Sequence, residues 1–167
     1  MLAQGETLKT IAEVSAALAG FSALAGAFGG SSGRESARAS FLRLHFVVFV
    51  ALYLVLFALL PIVVADYGLS PTRVWQACSA IALVLNVVSA VPLVRDYAKA
   101  GLARGWLAYF VIYPLAVVLH TALILNTFSL MPEHAGSLYL TFLYAALVQA
   151  AAAFMWLIGS AFAPDDK

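Results

Sequence analysis

Five long apolar segments, separated by short polar stretches, run along this chain. They cover residues 10–29, 41–64, 74–94, 106–128 and 138–162. Each has about 20 or more residues, which at about 1.5 Å per residue is enough to cross a hydrocarbon layer about 30 Å thick. Because the connections are short, consecutive helices are expected to be antiparallel neighbours. The pattern predicts an all-α, polytopic transmembrane helix bundle that forms a single domain over residues 1–167.

The first apolar segment differs from the other four in composition. It consists largely of Ala, Gly and Ser and contains an acid, Glu13, whereas the others are rich in Val, Leu, Phe and Tyr. A helix of small residues packs closely against its neighbours, and an intramembrane ionisable group marks a functional-site hypothesis. Residues 1–9 have no excess of positive charge, so we interpret this segment as a transmembrane helix rather than a cleaved signal peptide.

Composition supports a membrane protein and excludes several other classes. The 167 residues are 64% hydrophobic and 10% charged, whereas soluble domains have about 25% charged residues. A net charge of +1 provides no basic face for nucleic acid. Cys78 is the only cysteine, so neither an internal disulfide nor a thiolate metal cluster is expected. The sequence lacks the usual phosphate-loop, metal-ligand and nucleophile motifs, which predicts a protein that is not an enzyme and has no cofactor.

Positive charge alternates between the connections. The basic connections are the first, with Arg34, Arg38 and Arg43, and the third, with Arg95, Lys99 and Arg104. The second has only Arg73, and the fourth has no Lys or Arg. The positive-inside rule therefore predicts an outward N-terminus and a cytoplasmic C-terminus for a multi-pass protein of the cell membrane.

Several polar side chains fall at membrane depth within the predicted helices. They are Glu13, Asn86, His120, Asn126 and Gln149. Asn86 and Gln149 are expected about 16–18 Å from the outer ends of their helices and His120 about 12 Å from its own, with Asn126 closer still. The sequence therefore predicts an outer-to-middle polar belt that includes Glu13, His120, Asn86 and Gln149.

Two interpretations stay open for the ionisable members of this belt. Glu13 is either an interfacial acid, paired with Lys9 or snorkelling to the headgroups, or a carboxylate that lines a water-filled path. His120 is either a neutral imidazole bonded to a neighbouring helix or a proton relay or ligand. A haem held by His120 and His45 is not expected, because their depths differ by roughly 15 Å.

The sequence also predicts structural roles for Asn86, Gln149 and Pro114. Asn86 and Gln149 are expected to form interhelical hydrogen bonds, and one option is a bond between these two side chains. Pro114 is expected to kink the fourth helix and to free a carbonyl group around Phe110.

Small residues of the first segment recur at helical spacing on more than one face. One stripe comprises Glu6, Thr10, Glu13, Ala17, Gly20 and Ala27. In a ring of identical helices this stripe could face the axis, where Glu13 would concentrate cations at the outer mouth. The candidate ion pathway therefore comprises Glu13, Ala17, Gly20 and Ala27. The alternative is that the small residues serve only tight packing within one subunit.

Two resemblances bear on these hypotheses. Residues 10–21, with Leu59-Leu60-Pro61 and Trp75, resemble an uncharacterised family of small bacterial integral membrane proteins, which implies a bacterial inner membrane. Residues 15–21 are similar to the first, pore-lining helix of the Orai calcium channels. The Orai pore acid follows the Gly-Phe pair, where this chain has no acid, and Orai has four helices with a cytoplasmic N-terminus. The similarity implies only a pore-lining first helix.

The sequence favours a homo-oligomer in the lipid bilayer that conducts cations or protons, with the first helix near the axis. One alternative is a non-catalytic subunit or scaffold that docks to a partner complex. Another is a membrane redox or lipid-modifying enzyme that uses His120.

Overall fold

The structure, a computed structural model, describes residues 4–28, 34–99 and 108–161. These residues form helices and turns, with no strand among them. The five α-helices are α1 (Gly5–Phe28), α2 (Arg34–Ala65), α3 (Pro71–Lys99), α4 (Tyr113–Thr127) and α5 (Ala135–Ala161). A π-helical turn (Ala108–Ile112) leads into α4, and a 3-10 turn (Pro132–His134) leads into α5.

The prediction of five membrane-spanning helices is confirmed, because five helices are long and apolar enough to cross a bilayer. Most helices extend beyond the apolar segments by one or two turns, since helical hydrogen bonding continues where the side chains become polar. The helix α2, for example, begins at Arg34 rather than near residue 41. The first two residues of the predicted fourth segment, 106 and 107, lie outside the described residues.

Proline has different effects at three positions. The helix α2 continues through Pro61 and ends at Ala65, one residue beyond the predicted end at residue 64, and the chain turns at Gly68 with a φ of 74°. Pro71 is the first residue of α3, where its missing N–H costs no helical hydrogen bond. Before Pro114 the backbone forms the π-helical turn, a local change of helical pitch at the predicted place.

Helix α5 lies in the middle of the bundle and contacts each of the other four helices. Helix α1 packs against α2 and α5, and helix α4 packs against α3 and α5. The starts of α1, α3 and α5 meet at one end, where Gln4 and Trp75 lie beside Gly136. We call this the Trp75 end and the opposite one the Trp156 end. The charge pattern predicts that the Trp75 end faces outward.

The core takes buried side chains from all five helices, and the largest come mainly from α2, α4 and α5. The largest fully buried ones include Tyr139, Phe57, Phe142, Leu54 and Leu123. Lipid tails are as apolar as these side chains, so burial of the side chains away from lipid does little to stabilise the bundle. Close packing and polar contacts between the helices stabilise it instead.

Candidate functional site

Helix α1 has one face against the bundle and one face outside it. Ser15, Ala19 and Ser22 are buried against the neighbouring helices. Glu13, Ala17 and Gly20 are exposed on the opposite side. We call these three residues the outward face of α1. The side chain of Ala27, the fourth predicted member of this stripe, lies outside the described residues.

The inward face of α1 shows that its small residues serve packing within the subunit. At Gly26 an added Cβ would meet the side chain of Leu44 on α2, 3.0 Å from Cδ1 and closer still to Cδ2. At Gly20 an added Cβ would meet nothing within 4 Å. The small residues therefore divide into two groups: those that allow α2 to approach, and those on the outward face that meet nothing in the described chain.

The carboxylate of Glu13 has no ion pair or hydrogen bond with another described residue. The predicted alternative, a pair with Lys9, is not formed, because Lys9 Nζ lies 2.9 Å from Glu6 Oε1 instead. Both members of that pair are exposed near the start of the helix, so solvent screens their attraction. Glu13 is thus an exposed acid within a membrane-spanning helix.

Asn126 is the most extensively bonded of the predicted polar residues and is 2% exposed. Its amide nitrogen donates to Ser79 Oγ on α3 at 2.8 Å and to the Ala135 carbonyl oxygen at 3.0 Å. The Trp75 carbonyl oxygen lies 3.5 Å away. Asn126 therefore joins α3, α4 and α5 at the Trp75 end, a structural role.

Gln149 links α5 to the π-helical turn before Pro114. Its Nε2 donates to the Ile112 carbonyl oxygen at 2.6 Å. In a regular α-helix the N–H that Pro114 lacks would bond to the Phe110 carbonyl, so the Ile112 carbonyl is not the group that this proline leaves free. The predicted interhelical bond of Gln149 is confirmed, but its partner is a backbone carbonyl rather than Asn86.

Asn86 and His120 bond within their own helices. Asn86 Nδ2 donates to the Ala82 carbonyl oxygen at 2.8 Å, and His120 Nδ1 lies 2.7 Å from the Ala116 carbonyl oxygen. The interhelical bond predicted for Asn86 is therefore not the one observed, and among the described residues His120 has no bond to another helix of its own subunit. Both residues lie on partly exposed positions, where a carbonyl four residues earlier is the nearest acceptor.

The predicted polar belt is therefore not a connected cluster. The belt residues Asn86, His120 and Gln149 each have a different backbone partner, and Glu13 has none among the described residues. His45 stacks between two phenyl rings on α2, with centroids 6.1 Å from Phe41 and 5.9 Å from Phe49.

An aromatic series along α2 was not predicted. The rings of Phe41, His45, Phe49, Tyr53 and Phe57 follow one another at every fourth position, with centroids 4.3–6.1 Å apart. The i, i+4 spacing is visible in the sequence and was the available signal. The Tyr53 hydroxyl lies 2.8 Å from Ser89 Oγ, which ties this series to α3.

Two further features were not anticipated. A groove of about 390 Å³ separates α1 from α5 and is lined by Thr10, Val14, Tyr144 and other side chains. At the Trp156 end, the guanidinium carbon of Arg43 lies 4.4 Å from the ring centroid of Trp156, a cation–π contact between α2 and α5.

No group of three or more His, Cys, Asp or Glu residues that could hold a metal occurs in the described part of the chain. Comparison of the chain with protein-family models, with curated proteins and with solved structures finds no match. An assignment of function therefore rests on the side chains and their geometry.

Proposed function

We propose that the protein is a homo-oligomer in the membrane in which the outward faces of α1 lie nearest the symmetry axis and line a pathway for cations or protons. In the described part of the chain five helices are long and apolar enough to cross a bilayer, which is compatible with a polytopic membrane protein. The single observation that carries the proposal is the outward face of α1, where the Glu13 carboxylate lies with Ala17 and Gly20, exposed and without a described partner.

The part of this side of α1 from Glu13 to Gly20 is poorly suited to lipid, whereas the exposed Phe21 and Leu24 that follow it are apolar. A carboxylate that faces hydrocarbon without a partner is costly. Small side chains such as those of Ala17 and Gly20 give little contact with acyl chains but allow the close approach of another helix. Contact with a neighbouring copy of the chain would remove the face from lipid, and a ring of such copies would place the Glu13 side chains around a common axis, where they can take up cations or protons.

A pathway through a single subunit has less support. The buried amides of Asn126 and Gln149 are engaged in hydrogen bonds that hold helices together. The cavity beside Asn86 and Tyr53 has a volume of only about 40 Å³. These features favour an ion pathway between subunits rather than within one.

Flux measurements in liposomes test the proposal, with Glu13→Gln as the variant and Glu133→Gln as the control. Glu133 is an exposed acid at the Trp75 end, on the turn before α5 rather than on α1. We expect about tenfold less proton or potassium flux in Glu13→Gln, equivalent to about 1.4 kcal/mol in the barrier, and flux within twofold of the native protein in Glu133→Gln. Native mass spectrometry should show an oligomer. A monomer in lipid nanodiscs, or unchanged flux in Glu13→Gln, contradicts the proposal.

The alternative is a non-conducting subunit whose outward face of α1 docks into a partner complex. The groove between α1 and α5 favours it, because an apolar helix of a partner could lie along Val14 and Leu147. A stable complex with an unrelated membrane protein, together with no flux from the purified chain, would support this alternative. The hypothesis of an enzyme that uses His120 gains no support, because its Nδ1 is engaged by the Ala116 carbonyl of its own helix.

A further inference from the structure

Glu13 and His120 are ionisable side chains within candidate membrane-spanning helices, and neither has a partner on another helix among the described residues. Glu13 on α1 has no hydrogen bond or ion pair there. His120 on α4 has one hydrogen bond, from its Nδ1 to a carbonyl of its own helix, and its Nε2 has none. Each group is costly to leave unpaired in hydrocarbon, and each is chemically suited to the other.

The two side chains lie on different flanks of the bundle. Helix α1 packs on α2 and α5, whereas α4 packs on α3 and α5. Glu13 is exposed and His120 is partly exposed. A contact between them within one subunit would need α1 to pack on α4, whereas a neighbouring subunit could bring its α4 to the outward face of α1 directly.

Helix α5 allows the depths of the two residues to be compared. Gln4 on α1 lies beside Gly136, so Glu13, nine residues later on a helix with the same direction, is level with Ala145. Asn126 on α4 bonds to the carbonyl of Ala135, so His120, six residues earlier on an antiparallel helix, is level with about residue 141. The backbone levels thus differ by about 6 Å, roughly one helical turn.

The two side chains lean in opposite directions, which offsets the difference in depth between their backbones. Side chains on a helix lean toward its N-terminus. The start of α1 is at the Trp75 end, so Glu13 leans toward that end, whereas α4 runs the other way and His120 leans toward the Trp156 end. The bond from His120 to Ala116 shows this lean directly. Glutamate and imidazole of neighbouring subunits therefore converge to one depth.

The proton positions also match. The Ala116 carbonyl oxygen can only accept, so His120 Nδ1 carries a hydrogen and donates it. The remaining nitrogen, Nε2, then accepts a hydrogen from a protonated Glu13 or, as imidazolium, donates one to the carboxylate. In either form the pair holds one proton between its two groups and has no net charge, which suits a low-dielectric interface.

The faces around the two residues are complementary in size. The outward face of α1 is small at Ala17 and Gly20. The exposed side of α4 is larger and apolar, with Val117 66% and Ile124 42% exposed. Small residues on one helix against branched residues on the other permit close packing of the two backbones.

We propose that Glu13 of each subunit forms a hydrogen-bonded pair with His120 of a second copy of the chain, in a repeating α1-to-α4 interface. This inference rests on the homo-oligomer proposed above and names the residue that the neighbouring copy contributes. The interface is heterologous, because different surfaces of the two subunits meet. A closed ring forms when repetition of the rotation between neighbouring subunits returns to the first subunit.

Cross-linking between differently tagged copies tests the pair. One copy carries Glu13→Cys and the other His120→Cys, both with Cys78→Ala, and a short bifunctional thiol reagent joins them in the membrane. We expect a covalent dimer with both tags, at least fivefold more abundant than with Val118→Cys in place of His120→Cys. Val118 is exposed on the opposite flank of α4 at a similar depth, which makes it a matched control.

Exchange of the two residues provides a second measurement. Glu13→His and His120→Glu should each weaken self-association about tenfold, because each leaves two like groups facing one another. The double variant should restore it. An oligomer that cross-links through Glu13→Cys of both copies, or that the double variant does not restore, overturns the pair but leaves the homo-oligomer intact. A native protein that is monomeric in lipid overturns the proposed function itself.

Discussion

The side-chain amide of Gln149 on α5 donates a 2.6 Å hydrogen bond to the carbonyl oxygen of Ile112, the last residue of the π-helical turn. Ile112 is also the residue that precedes the first turn of α4. Gln149 is 6% exposed, so water does not readily replace it. A buried polar side chain on α5 thus bonds to the backbone at the start of α4 and joins the two helices.

Replacement of Gln149 by Leu should destabilise the protein. The change keeps a similar volume but removes the donor, which leaves the Ile112 carbonyl without this bond in the bundle. We expect a loss of about 1–2 kcal/mol in the free energy of unfolding. The measurement is unfolding of the detergent-solubilised protein by thermal shift and by titration with SDS.

The matched control for Gln149 is Asn86→Leu. Asn86 also loses an amide donor, but its partner is the Ala82 carbonyl of its own helix, which already accepts a helical bond. This control should cost less than about 0.5 kcal/mol. An equal loss in the two variants would show that the interhelical bond has no special role.

The bonds of Asn126 predict energetic coupling with Ser79. Asn126→Leu removes the donor at the junction of α3, α4 and α5, and Ser79→Ala removes one of its acceptors. A double-mutant cycle on the free energy of unfolding should give a coupling of about 0.6–1.7 kcal/mol. Asn126→Leu combined with Ser89→Ala, where Ser89 bonds to Tyr53, should be additive. A coupling near zero for the first pair would contradict the interhelical role.

The sequence was sufficient to predict the helices but not the partners of their polar groups. Five apolar runs of the required length predict five spans, because the membrane imposes a length and forbids unpaired backbone. Depth along each helix also followed from residue number. The partners of His120 and Asn86 depend on how each helix is rotated about its own axis. Membrane helices are only weakly amphipathic, so their hydropathy pattern does not predict this rotation.

Close contacts in the candidate site were likewise partly predictable. Small-xxx-small spacing in α1 predicted close packing, but it could not separate Gly26, which meets Leu44, from Gly20, which meets nothing in the described subunit. That distinction requires the position of α2. The exposure of Glu13 likewise depends on which face of α1 the other helices cover.

Valine at Gly26 and at Gly20 should therefore have different effects on the free energy of unfolding. Gly26→Val should lower the free energy of unfolding by about 1–3 kcal/mol, because its side chain enters the volume of Leu44. Gly20→Val should leave unfolding nearly unchanged, since the outward face has room for it. If a second copy of the chain packs on that face, Gly20→Val will instead reduce the fraction of oligomer in native mass spectrometry. Loss of folding in Gly20→Val but not in Gly26→Val would contradict the observed packing.

The predicted orientation can be tested with single cysteines in a Cys78→Ala background. Glu133 and Lys99 are both exposed, beyond opposite ends of the bundle. With the positive-inside rule, Glu133→Cys should react with a membrane-impermeant maleimide in intact cells, and Lys99→Cys should react only after permeabilisation. The reverse pattern would invert the topology and would place the start of α1 in the cytoplasm.

Two tyrosines on α5 provide a matched test of the core. Tyr139 is fully buried, and its hydroxyl donates to the Phe57 carbonyl oxygen of α2 at 2.8 Å, whereas Tyr144 is 50% exposed and has no hydrogen bond to another described residue. Tyr139→Phe removes one oxygen and leaves the ring contacts with Trp75 and Phe142 in place. It should cost about 1–2 kcal/mol in the free energy of unfolding, against less than about 0.5 kcal/mol for Tyr144→Phe. Unfolding in SDS measures both, and equal values would mean that the ring packing alone, without the bond to Phe57, holds α5 against α2.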